Sequence, residues 1–237
     1  MAAINDNLQA VAARIRGAAR AAGRDPAGIR LLAVSKTVPP GAIEQAYAAG
    51  QRSFGENYVQ EALDKKSALE PSGISSQIEW HLIGPLQSNK TRAAAVSFDW
   101  VHTVDREKVA RRLSGARARD AHPLNILIQV NISGEPTKSG VLPAEVAALA
   151  RVVAQLARLR LRGLMAIPEP TGDTNLQLAR FRSVRELFDS LNGQGFGMDT
   201  LSMGMSQDLE SAVAEGSTMV RVGTAIFGER AKAKAAA

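Results

Sequence analysis

A lysine stands directly after the first apolar run of the chain, in a position where a nucleophile can be held at the edge of a pocket. Lys36 follows Leu31–Ser35 and is in register with Leu32 and Val34, so the three side chains share one face of a strand. A lysine amine that is partly removed from water, or that lies near other cations, loses its proton more readily and can attack a carbonyl carbon. Most lysines are instead solvated at the surface, so position alone leaves both roles open.

Two short segments rich in glycine and hydroxyl residues have the composition of a phosphate site. The first, Ser202-Met203-Gly204-Met205-Ser206, leads into a helix predicted to begin near Gln207, and the second ends in Gly223-Thr224. Glycine lets the backbone approach a phosphate closely, hydroxyl groups donate hydrogen bonds, and a helix N-terminus offers free N–H groups. Together these groups suit an anionic ligand.

Both segments also have a purely structural interpretation. Ser206 could cap the following helix, and Gly223 could serve only a tight turn. Asp208 and Glu210 would already complement the helix dipole, and their charges would repel a phosphate dianion held close to them. The phosphate interpretation is favoured where the fold brings the two segments to one place.

Arg221 is the charged residue of an otherwise apolar segment, Met219–Val222. Strand alternation places Arg221 and Gly223 on one face and the two neighbouring valines on the other. The valines are expected to face the helices, so the arginine is expected to face inward, where a charge requires a partner or a ligand. The partner could be a bound ligand or a carboxylate such as Glu56.

Eight short apolar runs, separated by longer amphipathic segments, follow an Ala- and Arg-rich helix predicted over Ile4–Ala22. The seven steps between the run starts at residues 30 and 219 average 27 residues, close to the length of a compact strand–helix repeat. The runs are Arg30–Ser35, Arg52–Gly55, Glu79–Ile83, Trp100–Thr103, Asn125–Val130, Leu161–Ile167, Thr200–Ser202 and Met219–Val222. The helical segments include Pro40–Ala49, Asn57–Leu69, Arg106–Ala116, Leu142–Leu156, Leu176–Leu191 and Asp208–Ala214.

This repeat predicts an α/β fold, namely a single (β/α)8 TIM barrel with an extra N-terminal helix. A doubly wound sheet would open with a glycine-rich turn after its first strand, and the chain has no glycine there before Gly41. We expect one barrel domain over residues 1–230, preceded by its N-terminal helix, and a loose tail over residues 231–237.

Active sites of such barrels lie at the carboxyl ends of the strands, and phosphate commonly binds after strands 7 and 8. The predicted strand ends carry Lys36, Asn57, His81, a loop from Asp105, Asn131, Met165, Ser202–Ser206 and Gly223-Thr224. Asn57 and Asp105 could instead cap the helices that follow them.

Composition excludes several kinds of site. The chain has no cysteine, which excludes disulfides, thiol nucleophiles, iron–sulfur clusters and cysteine-ligated zinc. Its three histidines match no metal-binding spacing, so we expect no metal site. The first residues lack the basic-then-apolar order of a signal peptide, and no stretch is long enough to span a bilayer, so we expect a cytoplasmic protein.

The formal charge of +6 and the pI near 10.0 admit nucleic acid or an anionic small molecule as a partner. Arginines cluster at positions 111–119 and 158–162, but few aromatic residues accompany them to stack on bases. Solvated helix faces explain these arginines better, so nucleic acid is not the expected partner.

Seven blocks spread over nearly the whole chain carry a family resemblance. They are Leu31–Thr37, Phe54–Glu61, Trp80–Lys90, Lys138–Gly140, Arg162–Pro168, Leu201–Ser206 and Val220–Gly228. In these blocks the chain resembles the pyridoxal-phosphate homeostasis proteins, which are single-domain relatives of the alanine racemase barrel.

The resemblance implies pyridoxal 5'-phosphate bound as an internal aldimine to Lys36. It also implies that Ser206 and the backbone and hydroxyl of Gly223-Thr224 hold the phosphate, and that Arg221 lies near the pyridine nitrogen. Further residues implied in the same pocket are Asn57, Ser202, Met203 and Gly204. Many relatives carry two acidic residues after Ser206, where this chain has Gln207-Asp208.

The chemistry of the implied site leaves two functions open. An arginine opposite the pyridine nitrogen leaves that nitrogen unprotonated, which suits holding or racemisation better than transamination. Two-sided racemisation needs a second base opposite the lysine; related racemases take it from a second domain that we do not expect here, and neither Tyr47 nor Tyr58 is an evident replacement. We therefore expect a monomer that holds the cofactor and delivers it to apo-enzymes. A pyridoxal-phosphate-dependent amino-acid racemase with a weak or unknown substrate is the alternative.

Overall fold

Eight parallel strands close into a barrel in the computed structural model, which describes residues 2–133 and 139–228. Neighbours in the barrel follow chain order, and β1 closes the circle by pairing with β8. The strands are β1 (Arg30–Val34), β2 (Ser53–Glu56), β3 (Glu79–Leu82), β4 (Trp100–Val104), β5 (Leu124–Val130), β6 (Leu159–Ala166), β7 (Thr200–Ser202) and β8 (Met219–Val222). The (β/α)8 TIM barrel is confirmed, and the doubly wound alternative is wrong because a closed barrel has no edge strand.

Helices follow the strands around the outside of the barrel. Those in the described residues are α1 (Ala2–Ala21), α2 (Pro40–Ala48), α3 (Val59–Leu69), α4 (Thr91–Ser97), α5 (Glu107–Ala116), α6 (Pro143–Ala154), α7 (Thr174–Gly193), α8 (Leu209–Ala214) and α9 (Thr224–Phe227). Local chemistry sets several of their starts. Pro40 opens α2, where its missing N–H costs nothing, and the Asp173 carboxylate caps α7 by accepting the N–H groups of Asn175 and Leu176.

The hydrophobic core has two parts, one on each side of the sheet. Val220 and Val222 are buried with the main core between the strands and the surrounding helices, as the alternation predicted. Inside the barrel, Trp100, Leu127 and Met165 form a separate small apolar cluster. On the inner face of β8, Arg221 follows Met219.

The extra N-terminal helix lies against α8 and α9 at the seam where the barrel closes. The Asn7 side-chain amide donates to the carbonyl of Ile226 over 2.9 Å. The Arg14 guanidinium donates to the carbonyl of Ser206 over 2.9 Å and forms an ion pair with Glu210 at 2.8 Å. Helix α1 therefore braces the segments that follow β7 and β8.

Two predicted features fall outside the described part of the chain: the tail over residues 231–237 and the domain boundary at residue 230. The first residue of the Lys138–Gly140 block, Lys138, also lies outside the described residues. Among the helices that the structure does describe, none is both long and apolar enough to cross a membrane.

Candidate binding site at the barrel mouth

A cavity of about 810 Å³ opens at the carboxyl ends of the strands. Its walls come from segments that follow most of the eight strands, as expected for the functional end of this fold. The residues predicted from sequence that line it are Lys36, Asn57, Ser206, Arg221, Gly223 and Thr224. The fold therefore brings together in one cavity the candidate nucleophile, the candidate phosphate segments and the inward arginine.

Lys36 enters this cavity from the turn that ends β1. Val34 lines the cavity beside it, which agrees with the predicted register. Lys36 is half-buried. The next residue, Thr37, has φ +59°, and it is the one non-glycine residue of the described chain with positive φ. A β-branched residue rarely adopts this conformation, and such strain is concentrated at functional sites.

Arg221 is 4% exposed and donates hydrogen bonds to oxygen atoms of β6 and β7. Its Nη1 donates to the carbonyl of Ser202 at 2.6 Å and to the hydroxyl of Ser202 at 2.8 Å, and its Nη2 donates to the carbonyl of Ala166 at 2.9 Å. Burial lowers the pKa of Arg221 to about 10, against a smaller opposing effect of Asp208. The guanidinium is therefore still charged at neutral pH.

The proposed partner Glu56 does not serve Arg221. The Glu56 carboxylate accepts hydrogen bonds from Lys65 at 2.9 Å and from the Ser35 hydroxyl at 2.6 Å. Within residues 2–133 and 139–228, Arg221 forms no ion pair with any carboxylate. A buried cation that faces a cavity without a carboxylate of its own is suited to an electron-rich ligand.

A chain of polar side chains leads from Arg221 down through the barrel. The Ser202 hydroxyl lies 3.1 Å from Nδ1 of His102, and Nε2 of His102 lies 2.9 Å from Nδ1 of His81. Nε2 of His81 lies 3.2 Å from Glu79, an electrostatic contact rather than a well-aligned hydrogen bond. Glu79 also accepts from the indole N–H of Trp100 at 2.6 Å.

The order of donors along this chain can be deduced. Arg221 can only donate at one end of the chain, and the ionised Glu79 carboxylate can only accept at the other, so the Ser202 hydroxyl uses its own hydrogen toward Nδ1 of His102. Burial lowers the pKa of both imidazoles, that of His102 to well below its ordinary value, so both rings are neutral near pH 7. A neutral His102 then carries its hydrogen on Nε2 and donates to His81, whose own hydrogen is on the Nε2 that faces Glu79.

These two histidines are core residues, and both are fully buried. Neither lines the cavity. No group of three or more potential metal-ligating side chains occurs in the described residues. The sequence contained the histidines, but nothing in their spacing of 21 residues indicated that they would touch.

The candidate phosphate segments lie side by side at the seam of the barrel. Ser206 and Thr224 both line the cavity, and Gly223 stands at the N-cap position of α9. Ser206 does not cap α8, because that helix begins at Leu209 after the cap residue Asp208. The helix-cap interpretation of Ser206 is therefore wrong.

The two acidic residues that could repel a phosphate are each engaged. One Asp208 oxygen accepts the backbone N–H of Met205 at 2.6 Å, and Glu210 is bound by Arg14. Asp208 nevertheless lines the cavity, and burial raises the pKa of its carboxyl despite the opposing Met205 N–H.

Three other predicted site residues lie beneath the cavity wall rather than in it. Ser202 is fully buried under Arg221, and Met203 packs in the main core. Gly204 has φ +92°, and a Cβ atom there would lie 2.5 Å from Cβ of Ala212, so glycine allows this loop to pass close to α8. The Gly204 carbonyl accepts the backbone N–H of Arg221 at 2.9 Å.

Asn57 lies on the opposite wall, and its backbone is in close contact with Gly84, where a Cβ atom would lie 2.1 Å from the Asn57 carbonyl oxygen. It does not cap α3, whose cap position is Tyr58. Asp105 forms an ion pair with Arg106 instead of capping α5, and it does not line the cavity. Both capping interpretations are therefore wrong.

Sequence reasoning missed several residues of the cavity wall. They include Thr103, Gln129, Ser139, Pro168, Thr171 and Gln177. Gln129 could have been found, because it is a polar residue near the carboxyl end of the largely apolar strand β5. Thr103 lies within β4 and Gln177 within α7. The other three follow strands in loops whose course the sequence does not specify.

Several arginines of the two basic clusters have internal partners. Arg117 is 9% exposed and donates to the carbonyls of Ala95 and Phe98. Arg162 forms an ion pair with Asp199 at 2.7 Å and lies over the ring of Trp100. These two side chains are structural and are not part of a solvated basic face.

Comparison with known proteins places this architecture in a family. The family model described as "Alanine racemase, N-terminal domain" matches residues 7–231. The pyridoxal phosphate homeostasis protein of Pseudomonas aeruginosa is 57% identical over 230 residues, which cover 97% of each chain. This chain belongs to the pyridoxal phosphate homeostasis protein family. The Escherichia coli K12 member is 53% identical over 96% of this chain and 97% of its own length.

Solved structures agree with this family assignment. PipY of Synechococcus elongatus PCC7942, in a structure without PLP, superposes with a TM-score of 0.83 at 39% identity, covering 95% of this chain and 100% of that one. A second PipY structure, described as having PLP bound, gives a TM-score of 0.81 at 37% identity. An alanine racemase of Clostridium difficile shares the barrel fold, with a TM-score of 0.75 at 13% identity, and 57% of its chain is covered.

Proposed function

We propose that this protein binds pyridoxal 5'-phosphate in the mouth cavity, holds it as a Schiff base on Lys36, and delivers it to apo-enzymes. In this proposal it acts as a cytoplasmic monomer with one barrel domain over residues 1–230. The observation that carries the proposal is the convergence of Lys36, Arg221 and the β7 and β8 segments on one cavity. A PLP-bound family structure at 37% identity supports it.

The donors of the cavity fit this cofactor. The cofactor supplies an aldehyde, a phosphate and a conjugated ring with a basic nitrogen. A primary amine, two hydroxyl-bearing segments beside a helix start, and a buried cation that forms no ion pair among the described residues match those three groups. The close approach of Gly204 to α8 helps to keep the β7 segment near the β8 segment.

Each residue has a proposed role. The Lys36 amine joins the aldehyde carbon, Ser206 and Thr224 donate hydroxyl groups to the phosphate, and Gly223 offers its backbone. Arg221 faces the ring nitrogen as a fixed cation. Asn57 lines the wall of the cavity, while Ser202, Met203 and Gly204 support the arginine and the loop from beneath.

The cavity favours holding over turnover. Within the described lining, the titratable side chains are Lys36, Asp208 and Arg221. Asp208 already accepts a backbone hydrogen bond from its own loop, and Arg221 is a poor base. Neither tyrosine lines the cavity: Tyr47 donates to Gln77, and Tyr58 is 62% exposed.

The first test locates the covalent bond. The protein is mixed with pyridoxal 5'-phosphate, reduced with borohydride, digested and analysed by mass spectrometry. We expect the adduct on the Lys36 peptide, its loss from that peptide in Lys36→Ala, and its retention in Lys90→Ala, which changes an exposed lysine. An adduct that maps to another lysine in the unaltered protein would refute the assignment.

The second test separates delivery from racemisation. Loaded protein is added to an apo-enzyme to follow the gain of that enzyme's activity, and separately to L-amino acids in deuterium oxide. We expect transfer of the cofactor and no substantial D-isomer. Rapid Cα–H exchange together with D-product, both lost in Lys36→Ala, would replace the carrier function with the racemase.

A further inference from the structure

A buried lysine on α3 is bound entirely by groups around the Lys36 turn. Lys65 is 5% exposed, and its Nζ donates to the carbonyl of Ser35 at 2.7 Å. The same Nζ forms ion pairs with Glu56 at 2.9 Å and Glu61 at 2.7 Å. The two carboxylates and the ammonium are called the Lys65 cluster below. Sequence alone presents Lys65 and Glu61 as an ordinary surface pair one helical turn apart.

The Lys65 cluster holds the backbone on both sides of Lys36. On one side, Lys65 binds the Ser35 carbonyl and Glu56 accepts from the Ser35 hydroxyl at 2.6 Å. On the other side, the backbone N–H of Thr37 donates to Glu61. One carboxylate oxygen of Glu61 therefore accepts from both Lys65 and Thr37. The residue between these two anchors is the candidate nucleophile.

Thr37 needs such support because it is held in the left-handed region, at φ +59°. A threonine rarely adopts this conformation unless its surroundings impose it. The N–H that it gives to Glu61 fixes the turn in that state. The direction in which Lys36 leaves the backbone depends on the same turn.

Burying the charges of the Lys65 cluster costs free energy that merely holding α3 against the barrel does not require. This favours a role for the cluster in the binding site. Glu56 is fully buried, burial raises the pKa of its carboxyl against the opposing effects of Lys65 and Ser35, and its Oε2 has no hydrogen-bond partner in the described residues. Buried ion pairs can often be replaced by apolar side chains without loss of stability. The next residue, Lys66, shows the ordinary alternative, because it joins α3 to the carbonyl of Ser97 and lies over the ring of Trp80.

We propose that Lys65, Glu56 and Glu61 are positioning residues that set the direction and reactivity of the Lys36 amine. The inference deepens the proposed function, because it uses the reaction of Lys36 with the aldehyde as one of its readouts. A small displacement of a reacting group can cost about 100-fold in rate. We therefore expect the cluster to control how fast Lys36 captures the aldehyde, beyond any effect on stability.

The test compares two neighbouring lysines of α3, the buried Lys65 and the half-buried Lys66. Lys65→Met removes the donor and keeps an unbranched side chain one atom shorter, and Lys66→Met is the matched control on the same helix. Capture of pyridoxal 5'-phosphate is followed by stopped-flow absorbance and by borohydride trapping at Lys36. We expect Lys65→Met to slow capture by about 10- to 100-fold, and Lys66→Met to change it less than about twofold even where both lower the melting temperature.

A second readout needs no cofactor. Hydrogen exchange of the Thr37 amide, measured by NMR on the ligand-free protein, is expected to quicken in Lys65→Met and to stay unchanged in Lys66→Met. If Lys65→Met does not fold, Glu61→Gln takes its place, since it leaves the Lys65–Glu56 pair intact and weakens the acceptor that Thr37 shares with Lys65.

The possible outcomes distinguish failure of the positioning role from failure of the proposed function. Equal capture rates and equal Thr37 exchange in the two lysine variants, or in Glu61→Gln and the unaltered protein, would overturn the positioning role. Failure to trap any adduct on Lys36 in the unaltered protein would overturn the proposed function instead. In that case the Thr37 exchange still decides whether the cluster fixes the turn.

Discussion

The two buried histidines inside the barrel predict a loss of stability at mildly acidic pH. His81 and His102 are fully buried, and burial lowers the pKa of each imidazole in the folded protein. The unfolded chain takes up a proton on each ring near pH 6.5. The unfolded state therefore binds more protons below that pH, so stability that is present above about pH 6.5 is lost as the pH falls toward the folded-state pKa values.

The magnitude follows from linkage. For a histidine that stays neutral in the fold, lowering the pH from about 7.5 to about 5.5 costs about 1.4 kcal/mol. His102, whose pKa lies well below its ordinary value, is expected to cost about that much, and His81 adds at most the same amount again. The carboxyl groups with lowered pKa values, Glu79, Asp199 and Glu210, lose their contribution only at lower pH. The raised pKa values of Glu56 and Asp208 act in the opposite direction, because they favour the folded state as the pH falls. A loss of this size is a large part of the stability of an ordinary domain.

The assay is urea unfolding at several pH values across that range, with the free energy of unfolding extrapolated to water at each. His102→Gln removes one titrating ring and should roughly halve the pH dependence, although the variant starts less stable at pH 7.5. His122→Gln is the control, because that side chain is exposed, and it should leave the dependence as in the parent. A parent protein whose unfolding free energy is flat from pH 7.5 to 5.5 would refute the neutral buried pair. So would an undiminished dependence in His102→Gln.

Two further predictions concern the segments after β7 and β8. Gly204→Ala should destabilise the fold by about 1–3 kcal/mol in urea unfolding, because the new Cβ would lie 2.5 Å from Ala212 at a positive φ. Gly193→Ala, which meets no atom within 4 Å, is the control, and equal effects would contradict the close packing. Ser206→Ala and Thr224→Ala should each weaken pyridoxal 5'-phosphate binding by roughly 10- to 150-fold, or about 1.5–3 kcal/mol, while leaving the weak binding of pyridoxal without phosphate unchanged in fluorescence titrations. A phosphate preference retained in the double variant would argue against that site.

Periodicity was enough to predict the barrel because each strand had to bury both of its faces. The eight apolar runs coincide with the eight strands to within two residues at each end. Helix α4 (Thr91–Ser97) was missed because its pattern is not amphipathic: Thr91 is buried, whereas Val96 is 66% exposed. Strand β6 begins at Leu159 rather than at the predicted Leu161. Its early part includes Arg160, an exposed charged residue of the kind that is common in loops.

The site could be predicted only where a side chain's direction follows from its own strand. Lys36 and Arg221 were found in this way, from alternation with apolar neighbours. The partner of Arg221 could not be predicted. Ser202 lies beneath the cavity, where its hydroxyl also contacts His102 of β4, and this contact between distant strands is not visible in the sequence. The partner of Glu56 was misjudged for the same reason, since Lys65 reaches it from a helix outside the sheet.

The position of the site at the closing seam of the barrel has a consequence for protein synthesis. Strand β1 pairs with β8, with Arg30 opposite Met219, so the lysine and the arginine of one cavity come from opposite ends of the described chain. During translation Lys36 emerges first, whereas Arg221 and Thr224 emerge only after seven strands have been made. A ligand that needs all three cannot be held by a nascent chain. It would bind only the closed barrel and stabilise it by mass action. Binding of the cofactor would therefore require that β8 has already paired with β1.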